Sequence, residues 1–163
     1  LIRISSILEP VNDEEYAMDE TYQKGKQAFE SGLFCAESII TIIAQEEGIN
    51  SDIIPGIATG LCSGMARTCS TCGAVTGGIL ALGLVFGRTS SSESVEPVYK
   101  AVRELKFNFE KEFGSLNCHE LIECDLGTKE GQKAFIENNL QEKCSNYTGK
   151  ACELVRIIIN KNK

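Results

Sequence analysis

The sequence of 163 residues has no tryptophan, one histidine and three prolines. A single histidine excludes a Rieske-type centre within one chain, because that centre takes two histidine ligands. Basic side chains are also in deficit: 16 Lys and Arg face 23 Asp and Glu, giving a net charge of −7. No patch interleaves basic with aromatic residues. We therefore expect neither nucleic acid nor an anionic membrane surface as a partner.

Long hydrophobic runs are missing as well. The most apolar stretch, residues 73–87, spans fifteen residues with Thr76 as its only hydroxyl. A membrane span needs about twenty such residues, so we predict a buried core helix and no membrane insertion. The opening residues, LIRISSILEPVNDEEY, show no secretory cleavage pattern. We expect a cytoplasmic protein, although a sequence that begins with Leu leaves open what preceded it.

Cysteine is the residue type present in excess. The chain has eight: Cys35, Cys62, Cys69, Cys72, Cys118, Cys124, Cys144 and Cys152. Thiols stay reduced in a cytoplasmic compartment, so this number favours metal ligation or redox chemistry over structural disulfides. Only Cys69 and Cys72 form a C-x-x-C pair, whereas a zinc ribbon needs two such pairs. No phosphate-binding P-loop motif is present.

The hydrophobic pattern predicts an all-α fold: a compact, single-domain helical bundle over residues 1–163, with residues 1–18 peripheral and the glycine-rich apolar helix central. Apolar residues recur at helical spacing, as Ile39, Ile40 and Ile43 do. We predict helices within residues 19–32, 34–48, 73–87, 94–114, 117–124, 129–140 and 149–161, and a loop over 89–94. Residues 155–159 are the one stretch that also fits a strand.

Small residues in the central helix predict close packing. Gly73, Gly77 and Ala81 follow one another at four-residue spacing, which forms a face that another backbone can approach. We expect tight helix–helix packing there and a homodimer formed through this helix. The alternative is that bare backbone N–H groups near Cys72 face a sulfur or a cluster, since a helix start favours the thiolate form of cysteine.

Four segments together carry a family resemblance: GLFCAESII (32–40), CGAVTGG (72–78), EFGSLNCHEL (112–121) and a later cysteine near residue 144. The chain resembles the C_GCAxxG_C_C family of redox-active proteins from about residue 20 to 155. The CGAxxG box is the most specific part. By this resemblance the family cysteines are Cys35, Cys72, Cys118 and Cys144.

The resemblance implies that these four thiols bind an iron–sulfur cluster or another soft metal, such as zinc, for electron transfer or redox sensing. The domain is also similar to that of split-Soret cytochromes, which carry haem. Covalent haem needs C-x-x-C-H, but Ser115 occupies the first cysteine position before Cys118 and His119, and Gly73 follows Cys72. We therefore expect no haem. A redox partner protein is implied, and the sequence does not name it.

Two other functions compete with the cluster. Cys69 and Cys72 have the spacing for thiol–disulfide exchange, in which Cys72 reacts with Cys69 or another cysteine. The second alternative is a non-catalytic structural protein that binds zinc or interacts with a partner.

The remaining candidates have mostly structural interpretations. We expect Cys62, Cys124 and Cys152 to be small buried apolar residues, with a second site formed by these three and Cys69 as the alternative. His119, beside Cys118, is either a proton donor, a group that orients a ligand, or a polar residue at a helix start. Arg67 either offsets thiolate charge or is solvated.

Overall fold

The structure, a computed structural model, describes the backbone of residues 13–163 and the side chains of residues 20–163. The prediction of an all-α fold is confirmed, because the described residues form helices and no strand. The helices are α1 (Asp13–Glu30), α2 (Cys35–Glu46), a 3-10 helix (Gly56–Leu61), α3 (Cys62–Arg67), α4 (Gly73–Phe86), α5 (Glu96–Phe113), α6 (Cys118–Ile122), α7 (Lys129–Glu137) and α8 (Gln141–Asn162). The segment predicted to be peripheral is residues 1–18, and its first twelve residues lie outside the described part of the chain.

Helix α8 is central to the bundle, since it packs against α1, α2, α4 and α5. Val155, Ile158 and Ile159 are buried along one of its faces. Residues 155–159 are therefore helical, and the possibility of a strand there was wrong. The apolar run VRIII has no clear period by itself, and the buried face shared with α2, α4 and α5 selects the helix.

The prediction started this helix at residue 149. Helix α8 begins eight residues earlier, at Gln141, and Gly149 lies in its interior. The glycine is needed where α1 and α8 cross. A Cβ on Gly149 would lie 2.7 Å from Lys26 Cγ, and a Cβ on Gly25 would lie 2.6 Å from Cys152 Sγ. Cys152 is fully buried in this crossing. Its position agrees with the expectation of a small buried apolar residue.

The small-residue face of α4 packs against α2 of the same chain. A Cβ on Gly77 would lie 2.6 Å from Ala36 Cα and 3.0 Å from Ala36 O. The predicted close packing is thus present, but within one chain. The homodimer through this helix stays a prediction.

Helix α2 is held at both ends. At its start, Glu37 accepts a hydrogen bond from Phe34 N–H at 2.8 Å and from Thr59 Oγ1 at 2.6 Å, which ties the 3-10 helix to α2. At its end, Arg156 of α8 pairs with Glu46 at 2.6 Å and Glu47 at 2.7 Å. These anchors fix the start of α2, where Cys35 lies.

None of the helices in the described part of the chain combines the length and apolarity needed to cross a membrane.

Candidate functional site

One cavity of about 750 Å³ brings together cysteines from four different helices. Cys35 is the first residue of α2, Cys72 immediately precedes α4, Cys118 is the first residue of α6, and Cys144 lies in the first turn of α8. All four line the cavity. The first three are buried and Cys144 is partly exposed. The four cysteines that the resemblance singled out therefore share one chamber.

A short antiparallel bridge between Thr71 and Asn117 holds two of these cysteines side by side. Cys72 N–H donates to Leu116 O at 2.8 Å, and Cys118 N–H donates to Ser70 O at 2.9 Å. The Asn117 side chain adds a hydrogen bond to Cys69 O at 2.9 Å. Backbone pairing therefore sets the separation of Cys72 and Cys118 before any ligand is bound.

The wall of the cavity next to this bridge has an unusual backbone. Helix α3 is a left-handed turn, with φ between 55° and 65° from Ser63 to Ala66, and Arg67 also has φ 65°. For residues other than glycine this conformation costs roughly 1–2 kcal/mol each. Such strain persists only where the surrounding structure imposes it, and it concentrates at functional sites.

Two glycines leave room for the thiols. A Cβ on Gly64, in the left-handed turn, would lie 2.7 Å from Cys118 Cβ and 3.2 Å from Cys118 Sγ. A Cβ on Gly73 would collide with Cys35 Sγ. Glycine at both positions lets the backbone approach the sulfur atoms, so the glycines of the central segment contribute to the site as well as to helix packing.

Burial keeps the thiols of Cys72, Cys118 and Cys144 protonated in the ligand-free chain. Removal from water raises the pKa of Cys72 to about 12, although the backbone N–H groups of Ala74 and Val75 lower it. Burial likewise raises the pKa of Cys118 to about 11 and that of Cys144 to about 12. The backbone N–H groups at the start of α4 thus act in the expected direction, but desolvation outweighs them in the ligand-free chain.

These shifts predict that the reduced, metal-free chain loses stability at alkaline pH. The usual thiol pKa is 9.0, so above that value Cys72 ionises in the unfolded chain but keeps its proton in the folded one until about 12. The contribution of Cys72 is therefore fully present below pH 9, and it falls by about 1.4 kcal/mol per pH unit between these values. Urea unfolding with a chelator at pH 8, 9 and 10 measures the decline. Cys72→Ser should show a shallower decline, and equal slopes would contradict the assignment.

Cys69 and Cys72 have different surroundings despite their C-x-x-C spacing. Cys72 faces the cavity, whereas Cys69 Sγ donates to Asp125 Oδ1 at 3.1 Å. That hydrogen bond to a carboxylate raises the pKa of Cys69 and lowers the pKa of Asp125. The geometry gives Cys69 a protonated thiol, which is the poorer nucleophile.

The other candidates lie around or outside the cavity. Arg67 and Lys26 line it, so Arg67 is placed where a cation offsets thiolate charge. His119 is exposed on α6 and is not among the lining residues. Cys124 is buried and donates to Gly131 O at 2.9 Å.

Cys62 is buried, as expected, at the start of α3, and its thiol donates weakly to Ala58 O at 3.6 Å. A hydrogen bond with the Cys35 thiol, followed by burial, raises the pKa of Cys62 far above its usual value. The alternative of a second site containing Cys62, Cys69, Cys124 and Cys152 is not supported, because Cys152 is enclosed between α1 and α8.

Across the residues that the structure describes, no three His, Cys, Asp or Glu side chains are close enough to surround one metal ion. The four thiols thus share a chamber without forming a compact cage for a single ion.

Comparisons with known proteins identify a family and nothing narrower. The family model described as "Putative redox-active protein (C_GCAxxG_C_C)" matches residues 33–158. That range contains all eight cysteines. No curated protein and no solved structure matches the chain.

Proposed function

The chain belongs to the C_GCAxxG_C_C family of redox-active proteins, and from this premise we propose that it is an electron-transfer or redox-sensing protein whose cavity holds an iron–sulfur cluster. The observation that carries the proposal is the convergence of Cys35, Cys72, Cys118 and Cys144 on one cavity of about 750 Å³. Iron–sulfur clusters are held by four cysteine thiolates, and those thiolates need not be close in sequence.

The residues present fit such a group. All four donors are thiols, and thiolates favour iron–sulfur clusters, zinc and Cu(I) over harder metals. Gly64 and Gly73 keep the backbone next to two of the sulfur atoms free of side chains. Lys26 and Arg67 line the cavity together with Glu30 and Glu142, so two cations and two carboxylates border a site that would carry thiolate charge.

The chain's own contribution is to hold and shield the ligands. Buried apolar side chains behind the cysteines exclude water, which influences the reduction potential of any bound centre. The backbone N–H groups of Ala74 and Val75 lower the pKa of Cys72, so they would favour its thiolate as a ligand. When bound, a cluster supplies one-electron transfer. Because Cys72, Cys118 and Cys144 are protonated in the ligand-free chain, binding must release protons from them.

The arrangement of the donors favours a cluster over one zinc ion. Tetrahedral zinc with Zn–S bonds near 2.3 Å requires sulfur atoms roughly 3.8 Å apart. The described side chains form no such group around one point. A cluster spreads its four thiolates over several irons and an inorganic core, so it suits donors distributed around a chamber.

The two alternatives have less support. Exchange between Cys72 and Cys69 requires their sulfur atoms to meet, but Cys72 faces the cavity whereas the Cys69 thiol donates to Asp125. A purely structural zinc protein would not require a wide cavity beside its thiols.

Anaerobic purification tests the proposal. We expect a brown protein that absorbs near 400 nm and contains iron and acid-labile sulfide, before or after reconstitution with iron and sulfide. Cys72→Ser should lose most of both. Cys152→Ser is the matched control, since Cys152 is buried away from the cavity, and it should retain them.

A chain that binds no iron after reconstitution, or one in which the two variants behave alike, would overturn the proposal. A stoichiometric zinc content would favour the structural alternative. A metal-free protein with a reversible Cys69–Cys72 disulfide would favour thiol–disulfide exchange.

A further inference from the structure

Cys35 and Cys62 form a thiol pair on the wall of the cavity. Both approach the same point: a Cβ on Gly73 would collide with Cys35 Sγ and lie 3.1 Å from Cys62 Cα. Cys35 Sγ therefore lies beside the backbone of Cys62, and the proximity of Cys35 raises the pKa of Cys62. Cys35 lines the cavity, whereas Cys62 does not and lies deeper; their exposed fractions are 8% and 3%. The thiol that reaches the cavity therefore stands in front of a more deeply buried partner.

The local structure keeps this pair together. Thr59 donates to Glu37, so the 3-10 helix that leads into Cys62 is fastened to the first turn of α2, which begins with Cys35. Cys62 precedes the left-handed turn and Cys35 follows the loop after α1, so the two are 27 residues apart in sequence (62 − 35 = 27). Tertiary structure alone brings them into contact.

We propose that Cys35 and Cys62 form a reversible disulfide and that this disulfide is a redox modification site distinct from the four-cysteine ligand set. The oxidant is a disulfide of low molecular mass that enters the cavity. The inference that oxidation controls ligand binding rests on the proposed function, because the disulfide withdraws Cys35 from the four ligands. The disulfide itself does not depend on it.

The exchange takes two steps. The Cys35 sulfur, as thiolate, attacks one sulfur of the oxidant RSSR, forms a mixed disulfide and releases the first RS⁻, which takes up the proton that Cys35 lost. The Cys62 sulfur then attacks the Cys35 sulfur, forms the Cys35–Cys62 bond and releases the second RS⁻, which takes up the proton of Cys62. The chain loses two electrons and two hydrogens, and the oxidant becomes two RSH. Excess thiol reverses both steps.

Peptide mapping tests the bond. The full-length, metal-free chain is treated with bis(2-hydroxyethyl) disulfide, its remaining thiols are alkylated, and it is digested after Lys, Arg and Glu. Cys35 then lies in peptide 31–37 and Cys62 in peptide 48–67, each with one cysteine. We expect these two peptides to be linked, lighter by two hydrogens than their sum, and separated by dithiothreitol. Predominant links between other cysteines, or no link, would overturn the proposal.

Single variants test the order of the two steps. Cys62→Ser should stop at the mixed disulfide on Cys35, and Cys35→Ser should leave Cys62 unmodified. Cys152→Ser should still form the Cys35–Cys62 link. Mixed disulfide on Cys62 in the Cys35→Ser variant would show that Cys62 is reached directly, which contradicts the proposed order.

Iron binding then separates this proposal from the function it refines. Reduced Cys62→Ser should still take up iron and sulfide, because Cys62 is not one of the four ligands, whereas the oxidised wild-type chain should not take them up until it is reduced. Linked peptides in a chain that never binds iron would sustain the disulfide and refute the cluster. Iron binding that is unaffected by a confirmed link would refute the regulatory role of the disulfide.

Discussion

Replacing Gly77 with alanine should destabilise the protein by about 2 kcal/mol, because overpacking a tight contact costs about 3 kcal/mol and the gain in helix propensity returns about 1. The new Cβ would lie 2.6 Å from Ala36 Cα. This atom belongs to the backbone of a packed helix, so it cannot move aside as the end of a flexible side chain could. Thermal unfolding of the reduced chain should show a midpoint lower by roughly 6 °C.

Gly83 provides the matched control on the same helix. A Cβ there would have no neighbour within 4 Å, so Gly83→Ala should raise stability by about 0.8 kcal/mol through helix propensity alone. Equal effects of the two substitutions would show that the contact between α2 and α4 is not the tight packing described above.

Replacing Gly64 with alanine should affect both stability and the candidate site. The position has φ 65°, and the new Cβ would lie 2.7 Å from Cys118 Cβ. The left-handed backbone and the overlap together should cost about 3 kcal/mol. Since Cys118 must shift, we also expect a several-fold lower iron content after reconstitution. Urea unfolding and iron analysis on the same preparation measure the two effects separately.

Ala66 is the control within the same turn. It has φ 57° and is exposed, so Ala66→Gly should relieve backbone strain, raise stability by up to about 1 kcal/mol and leave iron content unchanged. Loss of iron in Ala66→Gly would mean that the strained backbone, rather than the space beside Cys118, is what the site requires.

The helical class followed from local information. The apolar stripes of α2 and α5 have a clear helical period, and Gly114 ends α5 with a positive φ of 83°. The extent of α8 did not follow, because Gly149 in its interior reads as a break until its contact with Lys26 is known. The sequence alone does not distinguish a glycine that allows close helix packing from a glycine that ends a helix.

The candidate site was predictable only through the family resemblance. Cys35, Cys72, Cys118 and Cys144 have no spacing that belongs to a known metal motif, and only the packing of four helices brings them to one cavity. No sequence pattern predicted that Cys35 and Cys62 lie close together, because their proximity depends on the path of the 3-10 helix. Likewise, the pairing of Cys69 with Asp125 spans 56 residues of sequence.

The assembly of the cavity depends on the position of Cys144. This cysteine lies on α8, which packs against α1, α2, α4 and α5. Until α8 docks, at most three of the four cavity thiols are in place. A group that needs all four thiols would therefore bind only to a folded bundle, and a chain in which α8 fails to dock cannot present the complete set of donors.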